Sequence, residues 1–269
     1  MTHRRLSEPV LRRWAGFAAA WIVASTLGAP AAAPNRDALR EIVQDQCVAH
    51  WLQQHSAAPC ERVVLPPAPD ERGGFALLAD RKGGAHFLLI PTQTIAGMES
   101  AVLLEPGTVN FFAAAWRARD LVAAFLGHGV PRGAIGLALN PRHARTQDQL
   151  HIHIECVRAD VSRALQRAAP RITDGWSPVA IGEWSYEAMR VMGEELDGAD
   201  PVKLLADKLP AARQAMGDYT LVVTGMEFKE GPGFILLAGT GPAGELLLDS
   251  TCATAPAAAA ATTSPAGAH

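Results

Sequence analysis

The sequence predicts an α+β chain, and three observations carry that expectation. Short apolar runs of strand length stand between Gly/Pro turn signals, and longer stretches repeat their apolar residues at helical spacing. The last third adds three more short runs whose Gly- and Pro-containing connections suit an antiparallel meander. With 269 residues and 49% hydrophobic side chains the chain can bury a sizeable core. A formal charge of -3 and the absence of any Lys/Arg-rich run remove the usual electrostatic reason to bind nucleic acid.

The first 34 residues read as an export segment. Trp14 to Pro34 carries no charged side chain, and Arg4, Arg5, Arg12 and Arg13 precede it against the single acid Glu8. Fully helical, that stretch would span about 30 Å, close to the hydrocarbon thickness of a bilayer. Ala15–Gly28 suits the apolar centre of a signal peptide, and Ala29-Pro30-Ala31 offers small residues for cleavage. A cleaved signal peptide and an uncleaved signal-anchor helix both remain open, and both place the bulk of the chain outside the cytoplasm. Cys47, Cys60, Cys156 and Cys252 fit that address, since an even number of cysteines in an oxidising compartment permits two bridges. Cys47 with Cys60 is the preferred pair, because the loop it closes is short. No C-x-x-C spacing exists to suggest a thiolate zinc site.

From Asp37 to Leu52, the spacing of Leu39, Ile42, Val43, Val48 and Leu52 predicts a helix capped by Asn35. The Pro-rich link Leu65–Pro69 then leads to two runs, 75–79 and 86–90, around the Lys82-Gly83-Gly84 turn, which read as a hairpin ended by Pro91. Thr108 is expected to cap one long helix reaching Leu126, with Gly127 as its stop. Residues 134–139 and 150–157 read as strands, and Asp160 is expected to cap a helix over 161–169. Helical pieces are expected at 186–196 and 202–216, then strands at 219–224, 234–238 and 245–248. Residues 253–269 hold no large apolar side chain and read as a low-complexity tail, which leaves 35–252 as the folded domain.

The chemistry concentrates between Asn140 and Glu155. In a strand, Leu150, Ile152, Ile154 and Cys156 share one face, so His151, His153 and Glu155 share the other. Two imidazoles and a carboxylate are costly to bury without partners, and a plain core strand gains nothing from them. Two chemistries use such a row. One imidazole can act as a nucleophile toward phosphorus while its neighbours orient it. Alternatively the three side chains can be ligands of a metal, although no outlying fourth ligand shows the matching spacing.

Ala85-His86-Phe87-Leu88-Leu89-Ile90-Pro91, then Asn140, Gln147 and His151-Ile-His153, resemble the ordered landmarks of the histidine-triad (HIT) nucleotide hydrolases and transferases. More specifically, Lys82-Gly83, Gly97-x-Glu99-Ser100, Asn110-Phe111-Phe112, Trp116-x-Ala118-Arg119, Arg145-Thr146-Gln147 and Cys156-Val-Arg158-x-Asp160-Val161 look like the CDP-diacylglycerol pyrophosphatase branch of that superfamily. The resemblance covers roughly Asp37 to Cys252.

It implies a HIT-like antiparallel sheet with helices packed on one side, and hydrolysis of CDP-diacylglycerol to CMP and phosphatidate. It further implies a nucleotidyl-histidine intermediate formed by the middle histidine of His-x-His-x-His, with no cofactor and no metal. Ungapped alignment from Asn140 makes His153 that nucleophile, with His151 before it and Glu155 in the third position, a departure from the triad. A frame shifted by two gives Gln149-x-His151-x-His153 and makes His151 the nucleophile. Asn140, Arg145, Thr146 and Gln147 are expected to donate to phosphoryl oxygens, with Lys82, His86 and Arg158 as further substrate partners. The lipid substrate and the export segment together imply a single-pass protein of the bacterial inner membrane facing the periplasm, or a secreted periplasmic one. Many HIT proteins pair, so a homodimer is possible on this reading. Two other functions stay open: turnover of a soluble nucleotide diphosphate or phosphoramidate, and an exported metal- or nucleotide-binding module without turnover.

Overall fold

The computed structural model describes residues 33–66 and 73–253. The expected export segment lies outside the described residues except for Ala33 and Pro34, as does the low-complexity tail beyond Ala253 and the end of the Pro-rich link. Among the described residues no helix is long and apolar enough to cross a membrane.

The expected N-terminal helix forms as three consecutive pieces: α1 (Ala38–Glu41), a π-helical stretch (Ile42–Val48) and α2 (Ala49–Gln54). Asn35 does not cap it: the N-cap position is Asp37, which makes no side-chain cap, and Asn35 accepts the Asp37 amide in the turn before the helix. Three strands follow, β1 (Arg62–Val64), β2 (Phe75–Ala79) and β3 (Phe87–Pro91). The expected long helix is two, α3 (Phe111–Arg117) and α4 (Asp120–Leu126), and its cap is Asn110, whose side chain accepts from Ala113. Thr108 instead donates to the Val102 carbonyl. The break has a packing reason. Six consecutive residues of α3, Phe111 to Trp116, are buried on all sides, whereas α4 buries only Val122 and runs along the surface.

Strands β4 (Ile135–Leu139) and β5 (Ile152–Val157) precede α5 (Ala159–Ala168). Asp160 lies within the first turn of α5 and pairs with Arg158 rather than capping it. The segment expected to be helical at 186–196 is strand β7 (Trp184–Met192), paired with β6 (Ser177–Ile181) on one side and β9 on the other. Its Glu, Ala and Met residues favour helix, but propensity is worth only tenths of a kcal/mol per residue, about 0.7 at most, and two-sided sheet pairing overrides it. Pro210 splits the next helix into α6 (Pro201–Lys208) and α7 (Pro210–Gln214). The last pair is β8 (Thr220–Phe228) with β9 (Gly231–Gly239). The expected strand at 245–248 is instead a 3-10 turn over Gly244–Leu247, leading into the two-residue β10 (Leu248–Asp249).

All strands join one antiparallel sheet in the order β1-β2-β3-β5-β4-β8-β9-β7-β6, with β10 added on β5. Pairing of β4 with β8 fuses the two strand-rich halves. Helices cover both faces, not one as expected. On the first face α3, α6 and α7 pack against Leu89, Leu137, Ile152, Ile154, Val223 and Leu236 in the main core. On the second face the N-terminal helical run packs on Ala76, Leu88 and Ile90 of β2 and β3. Further along that face, α5 packs on Val222, Ile235 and Leu237.

Two disulfides brace this arrangement: Cys47–Cys60 ties the helical run to β1, and Cys156–Cys252 ties β5 to the C-terminal segment across a separation of 96 residues. Loop-closure entropy makes the second the stronger brace. Replacing Cys156 and Cys252 together with alanine is expected to cost about 4.7 kcal/mol, against about 3 kcal/mol for Cys47 and Cys60. Urea unfolding checks the order, and a larger loss at the short-range bridge would contradict it.

Candidate functional site

Alternation along β5 builds the site. Ile152, Ile154 and Cys156 point into the main core together with Leu150, so His153 and Glu155 take the second face, as the sequence spacing predicts. His153 stands opposite Leu88 of β3 and Ala138 of β4. Leu88 belongs to the hydrophobic cluster under the N-terminal run and Ala138 to the one under α5, so His153 occupies the seam between them. His151, immediately before β5, has its ring centroid 5.2 Å from that of His153. Both rings border a cavity of about 240 Å³. Its wall combines Asn140, Thr146, Lys82 and Glu245 with the apolar side chains of Leu39, Ile42, Leu78 and Leu88.

The two histidines differ in what their nitrogens do. His151 Nδ1 lies 2.7 Å from the carbonyl oxygen of Gln149, an acceptor, so Nδ1 carries the proton and Nε2 keeps its lone pair. His153 has both nitrogens engaged. The Asn140 side-chain oxygen accepts the amide of Glu245 at 3.2 Å, which turns the Asn140 NH2 group to donate to His153 Nε2 at 3.3 Å. His153 Nδ1 lies 2.9 Å from His86 Nε2, with the two rings stacked. Glu155 Oε1 lies 3.0 Å from that same His86 nitrogen, where it stabilises any positive charge that reaches the imidazole pair. Burial pushes the pKa of His151 below the ordinary histidine value, against the raising effect of the Gln149 carbonyl. It pushes His153 well below, helped by the repulsion of His151, His86 and Lys82. Both rings are thus neutral bases at neutral pH.

Other expected site residues are placed differently. Arg145 lies outside the cavity wall: its guanidinium donates to both oxygens of Glu99, at 2.9 and 2.7 Å, and to Asp148, which commits it to a half-buried ion-pair cluster. Glycine at position 97 makes room for it, since a Cβ there would lie 2.0 Å from Arg145 Nη1. Arg158 is likewise committed, to Asp160 and to the carbonyl of Leu246. Gln147 borders the cavity, but its side chain accepts from Leu39 and donates to the carbonyls of Asn35 and Thr146, so it docks the N-terminal helix. The metal reading changes its members. The compact trio is His86, His153 and Glu155, whose ligand atoms all lie within 4.8 Å of one another, and His151 is not part of it. A cation there would have to displace the proton between His86 Nε2 and His153 Nδ1, which stand 2.9 Å apart. Three polar residues at the cavity escape the sequence reading: Asp80, Arg81 and Glu245. Asp80 and Arg81 adjoin Lys82 in the expected turn, whereas nothing in the local pattern around Glu245 marks it.

A family model for CDP-diacylglycerol pyrophosphatase matches residues 34–256. The chain belongs to that family. A CDP-diacylglycerol pyrophosphatase of Yersinia pestis is 37% identical over 231 residues, covering 82% of this chain and 86% of that protein. Membership in the CDP-diacylglycerol pyrophosphatase family makes the chain an enzyme of the hydrolase class. The family match takes in both the hairpin that carries His86 and the C-terminal turn that carries Glu245, so every residue of the cavity wall lies within it.

Two outcomes follow from the site's electrostatics. Both His151 and His153 bind a proton less readily folded than unfolded. The unfolded chain therefore takes up protons first as pH drops through about 6.5. Stability is kept above that pH and falls below it, and thermal unfolding of His151→Gln and His153→Gln variants should show a shallower fall between pH 6.5 and 5. Arg145→Met leaves Glu99 and Asp148 without their partner and is expected to cost about 2–3 kcal/mol, less than for a fully buried pair because both carboxylates keep contact with water. Denaturant unfolding measures this, and a neutral effect would return Arg145 to the list of substrate ligands.

Proposed function

We propose that this chain hydrolyses the pyrophosphate of CDP-diacylglycerol to CMP and phosphatidate through a covalent nucleotidyl-histidine, and that His151 is the nucleophile. One observation carries the choice of residue: His151 Nε2 is the free ring nitrogen beside the cavity, while both nitrogens of His153 are held by Asn140 and His86. This reverses the ungapped frame in favour of Gln149-x-His151-x-His153. The tautomer is the required one, since a donor at Nδ1 leaves the opposite nitrogen basic and aligned for in-line attack.

On this reading the α-phosphorus sits against His151. Attack forms the P–N bond and breaks the P–O bond to phosphatidate, whose oxygen keeps the bonding electrons. The Nδ1 proton stays on the ring, where Gln149 stabilises the positive charge that develops. Lys82 and Arg81, rather than Arg145 and Arg158, are the cations at the cavity and would meet the phosphates. Asn140 and Thr146 supply neutral donors. The His153–His86–Glu155 relay adjusts the charge next to the reacting group. The resemblance of the ordered landmarks along the chain to those of the HIT hydrolases supports this division of roles. The export segment fits a substrate that stays in the bilayer, with the domain outside the cytoplasm at a membrane surface.

The test is a rapid-quench reaction with substrate labelled in the cytidylyl phosphate. Wild type should carry label that is stable in alkali and released by acid, and His151→Ala should carry none and lose about 10⁴-fold or more in kcat. His153→Ala should still be labelled, more slowly. Label retained on the His151 variant would overturn the assignment. Equal turnover of soluble CDP-alcohols would favour a soluble nucleotide as substrate, and activity lost in chelator would favour the metal reading.

A further inference from the structure

The covalent step above leaves a second step without an agent. Phosphatidate is a good leaving group, because a phosphate monoester has its second pKa near about 6 and departs as a dianion at neutral pH. The water that must then release CMP from the histidine has a pKa of about 15.7 and needs a base. The carboxylates bordering the cavity among the described residues are Asp80 and Glu245. Asp80 accepts the amide of Lys82 at 2.7 Å, so its carboxylate is engaged in holding the turn. Glu155 is behind His86 and does not border this cavity. Glu245 has an oxygen 3.6 Å from His153 Nε2 and 3.3 Å from Lys82 Nζ, with its side chain about one quarter exposed.

Its position is held from several sides. A Cβ on Gly244 would fall 2.5 Å from Thr220 Oγ1, so only glycine lets this turn lie against the sheet. The amide of Glu245 is fixed by Asn140, the next carbonyl by Arg158 Nη1 and the carbonyl after that by the Arg158 amide. The Cys156–Cys252 bridge closes the segment onto β5. The turn buries Leu247 in the cluster under α5, but that leaves the Glu245 side chain unexplained: its carboxylate makes no helix cap, and among the described residues its close ion pair is with Lys82 at the cavity rim.

We infer that Glu245 is the general base of the hydrolytic step. Its carboxylate takes a proton from water as the water oxygen bonds to the α-phosphorus, the P–N bond breaks, and the electron pair returns to His151 Nε2. The proton then leaves to solvent, and CMP departs. This inference rests on the covalent reading under the previous heading. It also assigns a reason for the enzyme to be a hydrolase: a base borders the cavity that water can enter once phosphatidate has gone.

The experiment follows both products of CDP-diacylglycerol in one time course, using the full chain. In Glu245→Gln, phosphatidate release should keep a burst equal to the enzyme concentration, while CMP release slows about 10²- to 10³-fold and labelled enzyme accumulates. Hydroxylamine, a nucleophile that needs no base, should restore nucleotide release from this variant, and formate should do so for Glu245→Ala by replacing the carboxylate. Near-ultraviolet circular dichroism confirms that each variant is folded, and the surviving burst does so independently. Loss of the burst in a folded variant, or CMP release at the wild-type rate, overturns the role of Glu245. Absence of label on wild type as well would remove the covalent reading itself, and this inference with it.

Discussion

The site depends on β5 being paired on both sides. With β3 against one edge and β4 against the other, the strand cannot slip by a residue without turning Ile152 and Ile154 out of the main core and His153 and Glu155 into it. Hydrophobic burial on the first face thus determines the orientation of the polar row on the second. The gain is non-directional, but the two-residue period converts it into a definite placement of imidazole and carboxylate.

A row of polar groups at the centre of a sheet is expensive unless each finds a partner. The protein meets this by joining them in one connected chain: Glu245 amide to Asn140, Asn140 to His153, His153 to His86, and His86 to Glu155. His151 stays outside it, oriented by a single backbone carbonyl. A buried network with one ring left free suits nucleophilic chemistry better than storage of a ligand, because it positions a base without consuming its lone pair.

The same face explains why the helices cannot all lie on one side. The N-terminal run shelters β2–β3 and α5 shelters β8–β9, and the cavity forms along the edge of the N-terminal run, with Leu39 and Ile42 in its wall beside His151 and His153. The C-terminal turn then approaches from the far end of the chain. It is held by Arg158 and by the Cys156–Cys252 bridge, both attached to β5 or the residue after it. One strand therefore carries the histidine row, half of the long-range disulfide and the anchor of the Glu245 turn.

Local pattern alone settles the parity of Leu150, Ile152, Ile154 and Cys156 against His151, His153 and Glu155, the hairpin around Lys82-Gly83-Gly84, and the His86 strand that follows it. These are legible because they follow from the pleat and from turn chemistry within a few residues. What the chain does not disclose by itself is which polar group meets which. Arg145 has the residue type and the neighbours of a phosphate ligand, yet Glu99, 46 positions away, takes its guanidinium. Glu245 sits in an apolar stretch that reads as a strand, and becomes part of the cavity because Gly244 lets the turn close on Thr220. The choice between His151 and His153 turns on hydrogen bonds from Gln149, Asn140 and His86. Periodicity decides the face a side chain takes; only the folded chain decides its partners, since hydrogen bonds and ion pairs are made between groups that the sequence holds far apart.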